Sequence, residues 1–185
     1  MATAQTLLTA EQYGELPDLE RPTELVRGRI VEMNRPYPRH GLICAEIGHV
    51  VRSYVKQHKL GYVMCNDSGV ITQREPDTVR GPDISFYSHG RLPKGPIPQG
   101  YLKVAPNLVF EVLSPSDRWA RVLEKVGEYL TAGVEVVCVL DPERETMHVY
   151  RDESPSEVLT ADDELTIPEV LGEFRVAVRA LLEPE

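Results

Sequence analysis

The stretch Leu108-Val109-Phe110-Glu111-Val112-Leu113-Ser114-Pro115-Ser116 decides how this chain is read. From Leu108 to Leu113 it is a near-continuous apolar run broken only by Glu111, the pattern of a central strand covered on both faces. A lone carboxylate in such a strand is costly, so a cation, either a metal or a side chain, is expected beside it. Ser114-Pro115-Ser116 then predicts the start of a helix that runs to about Ala132 and stops at Gly133, with Trp119, Val122, Leu123, Val126 and Leu130 as its buried stripe. Val134 to Leu140 is a second apolar, β-branched strand ending at Asp141-Pro142. Strand, helix and strand within about 33 residues have the length of a parallel crossover.

Upstream, Thr9-Ala10-Glu11-Gln12 has capping-box spacing and predicts a short helix ended by Pro17. Glu24 to Met33 alternates around Arg27-Gly28 and reads as a hairpin or as two short strands at a bend. Between Leu42 and Tyr54, Ile43, Ile47, Val50, Val51 and Tyr54 recur at helical spacing, leaving Glu46, His49, Arg52 and Lys56 on a polar face. Tyr62 to Cys65, Val70 to Thr72 and Asp83 to Tyr87 read as strands. Ser88 to Pro106 carries too many glycines and prolines for regular structure and is expected to be a long surface loop, its charges Arg91, Lys94 and Lys103 all positive. Beyond Asp141, short antiparallel strands are expected at Met147 to Tyr150, Glu157 to Thr160 and Glu164 to Ile167, with Phe174 to Leu182 closing the fold.

The length of 185 residues, with 42% apolar and 26% charged, fits one globular domain over residues 1–185 that needs no disulfide staple. Cys44, Cys65 and Cys138 are odd in number, far apart and set in apolar runs, which predicts buried thiols in a reducing cytosol and no zinc set. Met1 to Glu11 lacks the pattern of a secretory leader and no apolar run approaches a membrane span, so a soluble, cytoplasmic protein is expected. The net charge of -9, taken as one number, argues against binding nucleic acid by bulk charge. The excess lies wholly in Asp141–Glu173, however, where eleven acids face Arg144 and Arg151, while Arg21–Lys59 holds eight basic residues against Glu24, Glu32 and Glu46. Acidic hairpins turned away from a basic substrate face are therefore expected.

Asp83 stands at the mouth of one strand and Glu111 inside another. If the two strands are neighbours, the carboxylates converge as hard oxygen ligands suited to Mg²⁺ or Mn²⁺. The structural alternatives are a turn role for Asp83 and a buried ion pair for Glu111. Lys125 falls at the edge of the helix stripe with Arg118, Val122 and Tyr129, placed either to aim its ammonium at the sheet rim or to pair with Glu128 in solvent.

Pro82-Asp83, Glu111-Val112-Leu113-Ser114-Pro115-Ser116, Lys125 before Glu128-Tyr129, Ala132-Gly133-Val134 and Leu140-Asp141-Pro142 together resemble the Uma-two family of putative restriction endonucleases. That family lies within the PD-(D/E)XK, restriction-endonuclease-like nuclease superfamily, and the resemblance extends to Glu24–Ile30 and His40. It implies an α/β fold, a central mixed sheet flanked by helices with extra antiparallel hairpins, and a metal-dependent DNA endonuclease using Mg²⁺ or Mn²⁺. Asp83 and Glu111 would be metal ligands and Lys125 the catalytic lysine. Leu113 stands where the wider superfamily has that lysine, and the family's lysine on the following helix matches Lys125. Arg121 stands where many relatives carry an acid. Glu24 would contact metal or orient water, unless it makes a hairpin salt bridge; His40 would bind phosphate or move a proton, unless it only bonds the helix start; Tyr129 is an auxiliary or a packing residue. Arg91, Lys94 and Lys103 would meet nucleic acid, and duplex cleavage implies a homodimer. His49, His58, His89 and His148 have no metal-ligand spacing. Two other classes compete: a non-catalytic module of this fold that binds nucleic acid or protein, and a small-substrate hydrolase, which needs its acid pair in a closed pocket.

Overall fold

The computed structural model describes residues 7–17 and 20–183. Its elements are α1 (Ala10–Gly14), β1 (Thr23–Val26), β2 (Arg29–Glu32), α2 (Pro38–His58), β3 (Gly61–Cys65), β4 (Val70–Gln73), β5 (Thr78–Arg80), β6 (Ile84–Ser88) and β7 (Leu108–Val112). There follow α3 (Trp119–Thr131), β8 (Val136–Asp141), β9 (Thr146–Arg151), β10 (Glu157–Thr160), β11 (Glu164–Thr166), α4 (Pro168–Leu171), β12 (Arg175–Ala177) and α5 (Val178–Leu182). Both sequence signals at the N-terminal end hold. Thr9 and Gln12 exchange the two capping-box bonds, and Arg27 and Gly28, at φ 49° and 74°, make the tight turn of the β1–β2 hairpin.

The central sheet runs β10-β9-β8-β7-β6-β3. Only β7 and β8 are parallel, as the crossover through α3 requires; every other neighbour is antiparallel. Alternation along β7 separates two cores. Leu108, Phe110 and Val112 face α2, where Ile43, Ile47, Val51 and Val55 join Leu165, Leu171, Phe174, Val178 and Leu181. Val109, on the other face with Glu111, meets Val122, Val126 and Tyr129 of α3. A second, four-stranded antiparallel sheet, β2-β1-β5-β4, lies against α3 through Val70 and closes its own small core of Ala10, Leu25 and Val79.

Three expectations need correction. The helix after Ser114 begins at Trp119, because Asp117 Oδ2 takes both the Ser114 N–H and its hydroxyl at 2.8 Å and holds residues 114–118 as a turn. Its buried stripe is Val122, Val126 and Tyr129, while Leu123 is 47% exposed; α3 packs against two sheets, and the second rotates the buried face toward Lys125. Cys65 is exposed, at the end of the edge strand β3, and Cys44 is half-buried; of the three free cysteines only Cys138 is fully enclosed.

Residues 88–106 form the expected irregular loop, but Arg91 is spent inside it. Its guanidinium donates to the carbonyls of Ala105, Pro106 and Gly133 and to Glu135 at 2.6 Å. Lys94 and Lys103 remain exposed. Replacing Arg91 by alanine orphans these acceptors and is expected to cost about 2 kcal/mol, lowering the melting temperature by about 4–8 °C. A melt within 1 °C of the parent would show the loop to be held elsewhere.

Candidate active site

The site forms where β6 and β7 meet α3, the second sheet and the first turn of α2. The β6–β7 ladder pairs Ile84 with Phe110 and Ser85 with Val109; carried one residue further, it sets Asp83 opposite Glu111 on the face covered by α3. Each carboxylate has one oxygen pinned. Asp83 Oδ2 accepts the Val112 N–H at 2.7 Å, and Glu111 Oε1 accepts the Tyr129 hydroxyl at 2.7 Å. The free oxygens face nitrogen groups at longer range: His40 Nε2 lies 3.4 Å from Asp83 Oδ1, and Lys125 Nζ lies 3.7 Å from Glu111 Oε2.

Glu24, on β1, organises the other side. It is 3% exposed and takes Lys125 Nζ at 2.9 Å, Arg80 at 2.8 Å and the Gly81 N–H at 3.1 Å. Arg80 also makes a two-pronged bond to Glu128, at 2.6 and 2.8 Å. Lys125 therefore pairs with Glu24 and Glu111, and Glu128 belongs to Arg80. A side chain at Gly81 would place its Cβ 2.9 Å from the Asp67 Cβ, so glycine is what lets the β5–β6 connection pass this close.

The charges are unequal in their compensation. Burial alone would raise the Glu24 carboxyl, but Lys125 and Arg80 outweigh it and hold the group below the ordinary carboxylate range. Burial would lower the Lys125 ammonium, yet Glu111 and Glu24 hold it above the usual lysine value. Glu111 is the exception: desolvation outweighs Lys125, Asp83 adds repulsion, and its carboxyl is pushed up to about 7. The Tyr129 hydroxyl is raised by burial and by Glu111, so it is a proton donor to that carboxylate. At His40, burial is outweighed by Asp83, and the imidazole is raised.

Asp83, Glu111 and Lys125 are thus brought together, with Glu24, His40 and Tyr129 around them, while Arg91 is held elsewhere. Two participants escaped the sequence reading. Arg80 sits on the three-residue strand β5, too short for periodicity to reveal, and Cys44, read as an apolar-run thiol, lies with its Sγ 3.4 Å from His40 Nδ1. His40, Cys44 and Asp83 offer ligand atoms within 4.8 Å of one another. A cavity of about 370 Å³ lined by Gly14, Met64, Gly69, Tyr87, Tyr101 and Leu102 includes none of Asp83, Glu111 and Lys125.

The donor set fits a hard divalent cation: two opposed carboxylates, each with one oxygen oriented by a hydrogen bond and one turned toward the site, and a net negative charge that Lys125 leaves incompletely balanced. In the metal-free protein this imbalance is a cost. Because the Glu111 carboxyl lies above its unfolded value of 4.5, the stability contributed by this group falls as pH rises from about 4.5 to about 7 and then levels. Glu111→Gln removes that cost, so in the presence of EDTA at pH 8 it should melt about 3–8 °C above the parent, the difference closing toward pH 4.5. A lower melting point at pH 8 would mean that attraction to Lys125 dominates burial.

Comparison with known proteins accords with this arrangement. No curated protein matches the chain. Among solved structures, one described as a "putative nuclease belonging to DUF820" from Anabaena variabilis superposes with a TM-score of 0.83 at 26% sequence identity, covering 95% of this chain and 97% of that one. Residues 10–179 match the model of the Uma2 family, described as "Putative restriction endonuclease". The match spans all three sheets, the two-stranded β11-β12 included, and every site residue, and the chain belongs to that family.

Proposed function

We propose that the protein is a metal-dependent DNA endonuclease that hydrolyses phosphodiester bonds with Mg²⁺ or Mn²⁺ at Asp83 and Glu111. The observation that carries this reading is the pairing of two opposed, oriented carboxylates with a lysine that is itself fixed by a third, Glu24. When bound, the cation would lower the pKa of an attacking water and neutralise charge on the scissile phosphate. The Val112 N–H and the Tyr129 hydroxyl fix which oxygen of each carboxylate is presented. Lys125 supplies positive charge where the pentacoordinate phosphorus of the transition state gathers negative charge, and Glu24 keeps its flexible stem from wandering. Lys94 and Lys103, exposed on the 88–106 loop, are assigned to the DNA backbone, and a duplex cut is assigned to two copies, one per strand.

Supercoiled plasmid with Mg²⁺ or Mn²⁺ is expected to be nicked, and Asp83→Ala, Glu111→Ala and Lys125→Ala each to lose about 10²-fold or more of that activity. Joint replacement of Lys94 and Lys103 by alanine should weaken DNA binding and flatten its salt dependence by about two counterions. Cleavage retained in all three site variants excludes the assignment. Metal-independent DNA binding without cleavage would favour the non-catalytic module.

A further inference from the structure

We propose that His40 joins Asp83 as a ligand of the divalent cation, which makes the seat one of mixed oxygen and nitrogen donors that prefers Mn²⁺ to Mg²⁺. This rests on the metal-dependent reading above and goes beyond it in naming a ligand and a selectivity. The first observation is a distance. His40 Nε2 and Asp83 Oδ1 are 3.4 Å apart, longer than the roughly 2.7–2.9 Å of a charge-assisted hydrogen bond, and close to the separation of about 3 Å between adjacent ligands of one octahedral ion with bonds near 2.1 Å. The second is orientation. Asp83 Oδ2 is already committed to the Val112 N–H, so Oδ1 is the oxygen available to an ion, and it is the one that faces His40.

The imidazole is also held ready. His40 lies in the first turn of α2, whose next turns are anchored in the core by Ile43 and Ile47, and its side chain is only 14% exposed. One helical turn on, Cys44 Sγ stands 3.4 Å from Nδ1. A proton on Nδ1 directed at that sulfur leaves the Nε2 lone pair for a metal, the usual way in which an outer partner sets the tautomer of a ligating histidine. A nitrogen donor shifts preference among divalent ions. Mg²⁺ holds to oxygen ligands and water, whereas first-row transition ions gain from imidazole, and Mn²⁺ is the one among them equally at home with carboxylates.

The test is metal binding by the intact chain, measured by titration calorimetry with Mn²⁺ and with Mg²⁺, together with electron spin-echo spectroscopy of bound Mn²⁺. The parent should bind Mn²⁺ at least about tenfold more tightly than Mg²⁺ and show nitrogen modulation from a coordinated imidazole. His40→Ala and His40→Gln, the latter keeping a polar side chain at the helix start, should lose about tenfold or more in Mn²⁺ affinity, change Mg²⁺ affinity by less than about threefold and abolish the nitrogen signal. Asp83→Asn should weaken both ions. If Asp83→Asn weakens both but the His40 variants bind Mn²⁺ like the parent, the ligand assignment is overturned and the nuclease reading stands. If neither ion binds, or if binding ignores Asp83, the metal seat itself is overturned and this inference with it.

Discussion

The Glu24 carboxylate is the constraint on which the site depends. Its two oxygens gather a lysine from α3, an arginine from β5 and the backbone N–H of Gly81, so one buried group ties the second sheet to the helix that covers the first. Burying these charges costs several kcal/mol per ion, and the cost is offset only while every partner is present; removing one leaves another charge stranded, at about 3–5 kcal/mol. The network therefore has no cheap intermediate state. Arg80 is held by both Glu24 and Glu128, and if Lys125 drifted from Glu24 the two carboxylates would be left to share Arg80. A flexible four-carbon side chain acquires a fixed position this way, which is what a charge meant to meet a reacting group requires.

That commitment has a consequence one residue away. Burial raises the Glu111 carboxyl toward neutrality, and Lys125, nearer to Glu24 than to Glu111, offsets that only in part. The same contacts that fix the lysine create the deficit at the carboxylate pair. Tyr129 orients Glu111 without supplying charge, and the Val112 N–H does the same for Asp83. Both carboxylates are thus oriented by neutral donors, while their charge is left incompletely balanced.

Much of this was legible in the sequence because it is local. Glu111 inside an apolar run, the crossover to β8, the hairpin at Arg27-Gly28 and the capping box at Thr9 each declare themselves within about a dozen residues, through periodicity or turn chemistry. The misses arise where a partner distant in sequence decides. β5 has three residues, and its role comes from Arg80 reaching Glu24 and Glu128, 56 and 48 positions away. The buried face of α3 is set by two sheets that the helix's own periodicity does not reveal. Arg91 looked like a free loop cation because the carbonyls it serves come from the far end of the loop and from the turn after α3. No short-range pattern encodes such pairings.

The net charge of -9 takes on a spatial meaning in this frame. β9 and β10, which carry part of the acidic excess, lie two and three strands beyond β7, and β11, α4 and β12 pack with α5 on the face opposite α3. Many of the acids there are matched locally: Glu157 and Glu169 by Arg151, Asp162 by Arg179, Glu164 by Arg175. Asp141, at the end of β8 nearest the site, is occupied by the backbone N–H groups of Glu143 and Arg144. The negative potential that a polyanion would meet at the site therefore comes from the site itself, from Asp83 and Glu111 with Asp67, Glu24 and Glu128 around them. A phosphate cannot enter that field on the strength of Lys125 alone, since the lysine is already shared between two carboxylates. On the proposed reading, the cation is first a condition for admitting the substrate and only then an agent of its hydrolysis, so binding at the site and catalysis should share one dependence on metal.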